Sequence, residues 1–367
     1  FIQLQVNYID WNSESIEFRK CCEVAAKYNV PVIVDFGADW CGPCKKLGPI
    51  IAQNIKTISP DDVASIVYTS GTTGVPKGVM LTYANLSSNM QFGIDTVNGN
   101  VGENLVSMLP LAHMYGLIWE FLFQFASGCH VYFLGKIPSP RVLLDAFAKV
   151  RPYMVITVPL VIEKIFKNSV FPTIEKQPVK FMLKTPCLAP IIRRRIRSKL
   201  LDAFGGNLRY MFIGGAAINR DVELWMKKLE LPYSVGYGMT ECGPLIGYSD
   251  WDTYVISSCG RIVHRMQIRV APDGADASVG ELQVKGDNVM KGYYDNEEAS
   301  KDAFTEDGWM RTGDLGTIDE GGNIYIKGRS KNMILSANGQ NIYPEELEDK
   351  LNNQPYVIES VVVERDK

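Results

Sequence analysis

The chain has 367 residues, and its 38 Lys and Arg against 41 Asp and Glu give a formal net charge of −3. That length predicts two or three domains, and the near-neutral charge excludes a polycation that binds nucleic acid through its phosphates. Hydrophobic residues make up 46% and charged residues 22%, which excludes a disordered, collagen-like or coiled-coil chain.

The first residues, FIQLQVNYID, lack the basic start and apolar centre of a secretory signal, and the absence of an initial Met indicates a processed chain or a fragment. The most apolar stretch, residues 115–135, carries Glu120 and a Ser-Gly break. It therefore predicts a core helix followed by a strand rather than a membrane span. The eight cysteines show neither zinc spacing nor the density of a disulfide scaffold, so a cytoplasmic protein is expected.

Residues 1–56 predict a helix, a strand, a motif and a second helix. Residues 15–29 have helical periodicity, and VPVIVDF (30–36) is a β-branched run typical of a strand buried on both faces. Residues 41–55, CGPCKKLGPIIAQNI, predict a helix with an early proline.

From residue 58 onward, β-rich apolar runs alternate with helical segments. Strands are predicted at 63–69, 78–83 and 104–109 and within CHVYFL, YMVITV and LRYMFI, and helices within ANLSSNMQFGI, RVLLDAFAKV and IIRRRIRSKLLDAF. Such alternation is typical of α/β proteins with layered sheets and flanking helices. After about residue 265, short strands and hairpin signals at 273–274 and 321–322 predict a small antiparallel, β-rich subdomain.

A basic run lies on one of the predicted helices, at Arg193, Arg194, Arg195 and Arg197. A solvated helix face is the plainer interpretation of such a run. A membrane-surface or phosphate-binding patch is the alternative.

The strongest chemical signal is YTSGTTGVPKGV at residues 68–79. Glycines let backbone N–H groups approach phosphate oxygens closely, hydroxyl groups add donors, and Lys77 adds a mobile positive charge. The loop is not of the Walker type, because Lys77 is followed by Gly78 and not by Ser or Thr. It predicts a site for a triphosphate that loses pyrophosphate.

This loop closely resembles the signature of the adenylate-forming superfamily, which includes acyl-CoA synthetases, peptide-synthetase adenylation domains and luciferases. Six further motifs similar to that superfamily follow in order: LPLAHMYG (109–116), FIGGAAI (212–218), VGYGMTECGP (235–244), GELQVKGDNVMKGYY (280–294), WMRTGDLG (309–316) and IKGRSKNMILSANGQNIYPEELE (326–348). The residues of these motifs look most like those of the long-chain fatty-acid–CoA ligases of bacteria.

The resemblance implies an incomplete adenylate-forming fold, with an AMP-binding core at 57–328 and the start of an α+β C-terminal lid domain at 329–367. It implies an acid–thiol ligase that converts a fatty acid, ATP and CoA into acyl-CoA, AMP and pyrophosphate through an acyl adenylate, with Mg²⁺ bound. Nucleic acid is not an expected partner, and peripheral membrane contact stays open.

The superfamily pattern also implies residue roles. Lys77, His113, Thr240 and Glu241 would be catalytic, with Thr240 bonded to the α-phosphate, Glu241 and Thr69 at the Mg²⁺, and Lys331 at the hinge between domains. Tyr237 would stack on adenine, and Asp314 would accept both ribose hydroxyls. The full set of implied ATP- or AMP-binding residues is Thr69, Ser70, Gly71, Thr72, Thr73, Gly74, Lys77, Gly215, Ala216, Ala217, Gly236, Tyr237, Gly238, Met239, Thr240, Asp314, Ile326 and Arg329.

The front of the chain resembles a different family. VIVDFGADWCGPCKKLGPII (32–51) is similar to the active-site region of thioredoxin, with WCGPCK at 40–45. A helix N-terminus lowers the pKa of a thiol, so Cys41 would be the nucleophile and Cys44 the resolving thiol. Asp35 matches the buried carboxylate of that family, and residues 1–56 would form a partial thioredoxin-like βαβα segment.

Both resemblances cover only part of their family. The chain ends at ESVVVERDK without a counterpart of the catalytic lysine that the superfamily carries late in its C-terminal domain, so low ligase turnover is expected. Only the first half of thioredoxin has a counterpart. Two alternatives to a ligase therefore stay open: a thiol–disulfide oxidoreductase acting through CGPC, and an inert fusion of two truncated genes joined near residues 56–60.

Overall fold

A computed structural model of the chain describes residues 2–5, 32–35, 59–69, 76–97, 99–136, 138–272, 278–332, 334–335, 341–342, 344, 347–348, 351, 357 and 360–363. The chain forms two compact units, Phe1–Asp62 and Val63–Lys367.

The first unit contains two parallel strands, β1 (Ile2–Gln5) and β2 (Val32–Asp35), which pair with each other. The strand predicted within residues 30–36 is confirmed at its β-branched centre. The other predictions for this unit lie outside the described residues: the helices at 15–29 and 41–55, the thiols of Cys41 and Cys44, and the side chain of Asp35.

The second unit holds the remaining elements. Its strands are β3 (Val63–Thr69), β4 (Lys77–Thr82), β5 (Asn104–Ser107), β6 (His130–Phe133), β7 (Met154–Thr157), β8 (Tyr210–Ile213), β9 (Tyr233–Val235), β10 (Tyr237–Gly238), β11 (Leu245–Tyr248), β12 (Arg261–Ile262), β13 (Met266–Pro272), β14 (Gly280–Gly286), β15 (Gly292–Tyr293), β16 (Met310–Ile318), β17 (Ile324–Arg329), β18 (Ile334–Leu335) and β19 (Asn341–Ile342). Its helices are α1 (Tyr83–Thr96), α2 (Met114–Gly116), α3 (Phe123–Ala126), α4 (Pro140–Val150), α5 (Pro159–Ile165), α6 (Phe171–Ile174), α7 (Gln177–Lys184), α8 (Ala189–Ala203), α9 (Arg220–Lys228) and α10 (Glu297–Asp302). Two π-helical segments, Leu117–Leu122 and Phe166–Val170, join α2 to α3 and α5 to α6.

A five-stranded parallel sheet in the order β6-β5-β7-β8-β9 forms the centre of this unit. Successive side chains of a strand point to opposite faces of the sheet. Met154 and Ile156 of β7 therefore lie in one apolar core, and Val155 lies in the other. Burial on both faces explains why β7, which is buried along its whole length, is a continuous apolar run in the sequence.

The apolar stretch at 115–135 folds as its polar residues predict. Helical structure continues from α2 to the end of α3, and β6 then enters the parallel sheet. Within the described residues, no helix has both the length and the apolar character needed to cross a bilayer.

Three antiparallel sheets of three or four strands accompany the parallel sheet in the second unit. The first has the order β15-β4-β3, and its β3–β4 hairpin places Thr69 opposite Lys77. The second, β13-β14-β16-β17, confirms the β-rich subdomain and places Asp314 opposite Arg329. The third has the order β10-β11-β12.

The hairpin signals have different outcomes. The Gly-Gly pair at 321–322 forms the turn between β16 and β17, where Gly322 has a φ of +79°. The Asp-Gly pair at 273–274 lies outside the described residues. In the C-terminal segment, β18 and β19 pair antiparallel.

Candidate functional site

The candidate site lies at the carboxyl edge of the parallel sheet. From β5 the chain crosses to β6 on one side and then to β7 on the other, so the loops after β5 and β7 diverge at this edge. Open α/β sheets bind ligands at such switch points. Here the segments that follow β5, β8 and β9 line a mainly apolar cavity of about 190 Å³.

Most of the residues lining the cavity come from the superfamily motifs. They include His113, Met114, Tyr115, Gly214, Gly215, Gly236, Tyr237, Gly238, Met239 and Thr240. Phe212, Ile213 and Pro244 also belong to these motifs, and the lining residues outside them are Phe92, Val97, Trp119, Leu245 and Tyr248.

The expected ribose residues meet beside the cavity. The Tyr237 hydroxyl donates to the Asp314 carboxylate at 2.6 Å, and the Arg329 guanidinium forms an ion pair with the other Asp314 oxygen at 3.1 Å. Asp314 is buried, whereas about half of the Arg329 side chain is exposed. Burial, reinforced by the neighbouring carboxylate, raises the pKa of Tyr237, so the phenol keeps its proton and remains a donor.

The part of the site that is expected to bind adenine consists of loops with small side chains. A Cβ on Gly238 would lie 2.2 Å from the Pro244 carbonyl oxygen, so only glycine fits this approach of β10 to the following loop. Gly215, with a φ of +91°, follows β8 at the cavity edge. Ala216 and Ala217 continue from it as exposed residues and do not line the cavity.

The structure describes the two ends of the phosphate loop. Thr69 ends β3, and Lys77 begins β4 directly opposite. The loop residues between them, Ser70, Gly71, Thr72, Thr73 and Gly74, lie outside the described residues.

Tyr293 links Lys77 to the expected metal ligand. The Lys77 ammonium lies 4.9 Å from the centre of the Tyr293 ring, and the Tyr293 hydroxyl donates to Glu241 at 2.9 Å. Burial, and then the charge of Glu241, raises the pKa of Tyr293, so the hydroxyl stays protonated. Tyr293 thus holds both charged side chains, a role that the sequence motifs did not predict.

The residues fit a Mg²⁺ ion brought in with a nucleotide. Mg²⁺ is usually bound by one or two carboxylates together with substrate phosphates. Among the described residues, no group of three or more His, Cys, Asp or Glu could hold a metal ion alone. The half-buried Glu241 supplies the single oxygen-ligand side chain that such a shared site needs.

A buried asparagine fixes the segment after Glu241. Asn89 of α1 is fully buried, and its amide donates to the Cys242 carbonyl at 3.2 Å. Its carbonyl oxygen accepts from the Leu245 N–H at 3.0 Å. Since these contacts join positions about 150 residues apart, no local sequence pattern could have shown them.

The opposite wall of the cavity is organised by Glu120. This residue is fully buried in the first π-helical segment. One carboxylate oxygen accepts three hydrogen bonds, from the Ser107 hydroxyl at 3.0 Å and from the backbone N–H groups of Met108 and Leu109 at 3.0 and 2.8 Å. The carboxylate therefore anchors the start of the loop that leads to His113.

The second oxygen of Glu120 is buried with no hydrogen-bond partner in the described part of the chain. Burial raises the pKa of Glu120 to about 7, and the three donated hydrogen bonds oppose that rise. In the sequence, Glu120 indicates only that the apolar stretch does not span a membrane, and its role as an anchor becomes visible in the fold.

His113 itself is exposed at the N-terminus of α2 and lines the cavity, so it is not a buried core histidine. Beside it, the Tyr115 hydroxyl donates to the carbonyls of Thr157 and Phe212 at 3.3 and 3.2 Å. Tyr115 therefore ties this loop to the ends of β7 and β8.

Aromatic rings close the far end of the cavity. The Phe92 ring packs edge-on against Trp119 and Tyr248, with centroid distances of 6.5 and 5.7 Å. A Cβ on Gly93 would lie 2.7 Å from the Phe123 ring, so the glycine allows this close packing.

Two predicted residues lie apart from these contacts. Ile326 is half-buried on β17, opposite Gly316 of β16. Lys331 lies in the short 3₁₀ helix Ser330–Asn332, and its side chain is outside the described residues.

Comparisons with known proteins agree with this arrangement. Residues 13–294 match the family described as AMP-binding enzyme. The matched range begins inside the segment that resembles thioredoxin. The long-chain-fatty-acid–CoA ligase FadD15 of Mycobacterium tuberculosis is 32% identical over 336 residues, covering 85% of this chain and 54% of that protein. Long-chain-fatty-acid–CoA ligase 4 of Saccharomyces cerevisiae is 32% identical over 322 residues, covering 81% of this chain and 46% of that protein.

Solved structures share the fold. ATP-bound MatB from Rhodopseudomonas palustris has a TM-score of 0.68 at 28% identity, covering 95% of this chain and 64% of that chain. MenE from Bacillus subtilis, solved with ATP and magnesium, has a TM-score of 0.69 at 23% identity, covering 100% of this chain and 67% of that chain. The chain spans about half the length of the curated relatives it matches.

Proposed function

The chain belongs to the AMP-binding enzyme family, and on that premise we propose that it activates a fatty acid with ATP and transfers the acyl group to CoA. A carboxylate oxygen of the acid attacks the α-phosphate of ATP, and the bond to pyrophosphate breaks to leave an acyl adenylate. The CoA thiolate then attacks the acyl carbon, and AMP leaves with the electrons of the acyl–oxygen bond.

The observation that carries this proposal is the meeting of Tyr237, Asp314 and Arg329 at the cavity edge. An anionic carboxylate held in place by two donors is a preorganised acceptor for ribose hydroxyl groups. Tyr237 also presents its ring to the cavity, where an adenine base could stack.

The phosphate end supports the same reaction. Lys77 places a positive charge where the predicted phosphate loop returns to β4, and Thr240, in the 3₁₀ helix that follows β10, lines the cavity. When bound, Mg²⁺ would neutralise charge on the phosphate oxygens. The aromatic far end, with Phe92 and Trp119, suits the hydrocarbon part of an acyl group.

The test is the thioester half-reaction. The chain is mixed with a long-chain acyl adenylate and CoA, and release of AMP and acyl-CoA is followed. We expect AMP and acyl-CoA in equal amounts from the supplied adenylate. In a second arm of the experiment, fatty acid and ATP replace the adenylate. Because His113 lines the cavity, His113→Ala should slow product formation, whereas His130→Ala changes an exposed histidine on β6 and should not. Folded protein that binds AMP yet forms no product above a protein-free control would contradict the proposal.

Thiol–disulfide exchange through Cys41 and Cys44 is a second candidate function. It is supported by the β-branched strand Val32–Asp35 that precedes the CGPC motif and by its parallel pairing with β1. At neutral pH, Cys41 should react with an alkylating reagent faster than Cys187, which is an exposed free cysteine. Equal rates would count against a redox role. A cytoplasmic location stays a prediction based on the cysteine pattern.

A further inference from the structure

Helix α1 follows directly from β4, the strand that Lys77 begins, and it carries two asparagines whose side chains lie in the protein interior. Asn85 is 6% exposed, and Asn89 is fully buried. An amide in the interior is costly unless its donors and its acceptor find partners. The partners of these two amides therefore identify the segments that α1 holds in place.

Asn85 uses the two ends of its amide differently. Its oxygen accepts from the Thr82 N–H at 2.8 Å and completes the capping box at the start of α1. Its nitrogen donates to the carbonyls of Asp287 and Val289 at 2.8 and 3.0 Å, which lie 202 and 204 positions away in the chain. The cap requires only the oxygen, so the nitrogen is the atom that joins α1 to the segment 287–289.

The segment 287–289 leads into two further contacts with the predicted phosphate end of the site. Directly after it, the Met290 N–H donates to the carbonyl of Glu241 at 2.8 Å. The Lys291 N–H then donates to the carbonyl of Met80, in β4, at 3.0 Å. The same stretch of backbone thus contacts both the residue expected to bind the metal and the strand that Lys77 begins.

Asn89 holds the turn after Glu241 from α1, through the contacts with Cys242 and Leu245 described above. From the segment 287–289, the side-chain amide of Asn288 donates to the Leu245 carbonyl at 2.7 Å. Both backbone polar groups of Leu245 therefore bond to asparagine side chains, one on α1 and the other on the segment that Asn85 holds.

We propose that Asn85 is a positioning residue for the Mg²⁺–triphosphate end of the nucleotide. Lys77, Glu241 and Tyr293 come from three separate segments, and the Asn85 nitrogen joins the segment leading to Tyr293 to the helix that follows the Lys77 strand. Charged groups that are already in place bind phosphates without the cost of ordering them. The inference rests on the proposed function, because it takes Lys77 and Glu241 as contacts of the phosphates and the metal.

The ribose contacts do not include this asparagine. Tyr237, Asp314 and Arg329 bond to one another, and none of the hydrogen bonds of Asn85 in the described part of the chain reaches them. Loss of the Asn85 donor should therefore weaken binding of ATP with Mg²⁺ and spare AMP without metal. A residue that merely stabilised the fold would affect both ligands alike.

The first test is calorimetric titration of the full chain with ATP plus Mg²⁺ and with AMP without metal. Asn85→Asp keeps the acceptor for the Thr82 N–H and adds a negative charge that the N-terminus of α1 favours, but it loses the donor. We expect binding of ATP with Mg²⁺ to weaken about tenfold and AMP binding by less than about twofold. Asn85→Ser removes the amide without adding a charge and should show the same difference between the two ligands.

The second test needs no ligand. Hydrogen exchange at the backbone amides of Met290 and Lys291 should be faster in Asn85→Asp and Asn85→Ser than in the parent, because these amides follow the segment that the Asn85 nitrogen holds. The control Thr82→Ala removes the hydroxyl that accepts from the Asn85 N–H and leaves the contacts of the Asn85 nitrogen in place. It should lower thermal stability through the lost cap and bind both nucleotides as the parent does.

Three results would overturn the inference. If the parent binds both nucleotides and the Asn85 variants weaken them equally, or weaken neither, the positioning role is wrong and the proposed function stands. Unchanged exchange at Met290 and Lys291 in both variants would also contradict the positioning role. A folded parent that binds neither ATP nor AMP would refute the proposed function and this inference together.

Discussion

The two walls of the cavity are built in different ways. On the nucleotide side, the side chains expected to touch the ligand are also the ones that hold each other, as Tyr237 and Arg329 hold Asp314. On the opposite side, His113 is exposed, and its loop is anchored by the buried carboxylate of Glu120. Substitutions in the wall that contains Tyr237 and Asp314 should therefore weaken ligand binding. Substitutions beneath the His113 wall should lower the stability of the loop that carries His113.

The largest expected effect is on the free energy of unfolding of variants at Glu120, the residue that supports the His113 wall. Glu120→Ala leaves a buried hydroxyl and two backbone N–H groups without their acceptor and opens a cavity, so it should lower the free energy of unfolding by roughly 3–5 kcal/mol. At about pH 4.5, where Glu120 is protonated in the folded protein, Glu120→Gln keeps an acceptor oxygen and should cost about 1 kcal/mol. Urea denaturation of both variants measures the difference. Equal losses would mean that the three hydrogen bonds do not stabilise this wall.

The next largest effect is on the pH dependence of stability. The pKa of Glu120 is raised from 4.5 to about 7 in the folded protein. A raised carboxyl pKa gives stability that is present below about pH 4.5 and is lost as the pH rises through about 7. The free energy of unfolding of the parent, relative to Glu120→Gln, should fall by about 3 kcal/mol across that window. A flat difference would contradict a Glu120 pKa that burial raises more than the three donated hydrogen bonds lower it.

A change at Asp314 should affect ligand binding rather than the support of the His113 loop. Asp314→Ala removes the acceptor for the ribose hydroxyls and should weaken AMP binding by about 100-fold, since hydrogen bonds to a charged group contribute about 1.5–3 kcal/mol each. Calorimetric titration measures the loss. Asp307→Ala is the control, because Asp307 is an exposed aspartate paired with Arg269 on the same subdomain. Unchanged AMP affinity in Asp314→Ala would place the ribose elsewhere.

A smaller effect distinguishes the ends of the nucleotide. Lys77→Ala should weaken ATP about tenfold and AMP less than twofold, because the lysine lies at the end of the loop that is expected to bind the outer phosphates. Competition of ATP and AMP for the same site measures both constants. Equal weakening of ATP and AMP would place Lys77 near the α-phosphate or the base.

The smallest effect concerns Tyr293. Tyr293→Phe keeps the ring beside Lys77 but removes the hydroxyl that donates to Glu241, so about fivefold more Mg²⁺ should be needed for half-maximal ATP binding. Binding of AMP without metal should not change. Tyr294→Phe, at an exposed neighbouring position, is the control. A matching loss of metal-free AMP binding in Tyr293→Phe would indicate general disruption of the site.

The sequence pointed to residues of the wall that contains Tyr237 because these residues lie in local motifs; their contacts with a ligand stay a prediction. Tyr237 and Asp314 were assigned from YGMTE and TGDLG, and the structure brings them together. Glu120 and Tyr293 were missed because their roles depend on contacts between separated segments: Glu120 bonds residues 11 to 13 positions away, and Tyr293 bonds Glu241 at a separation of 52. Residue type and spacing do not specify which chain segment will cover a buried carboxylate.

In the second unit, strands were predicted well where both faces of the strand are buried. Helices were predicted well where apolar residues recur once per helical turn. The join proposed near residues 56–60 and the redox role of Cys41 stay predictions. The family match from residue 13 to residue 294 covers residues on both sides of that join.

A crystal structure of the chain with AMP bound tests the central claim most directly. We predict adenine over the Tyr237 ring beside Gly215, and both ribose hydroxyls at hydrogen-bonding distance, about 2.7–3.2 Å, from the Asp314 carboxylate. AMP bound away from the carboxyl edge of the parallel sheet, or in the cavity with its ribose facing away from Asp314, would contradict the account.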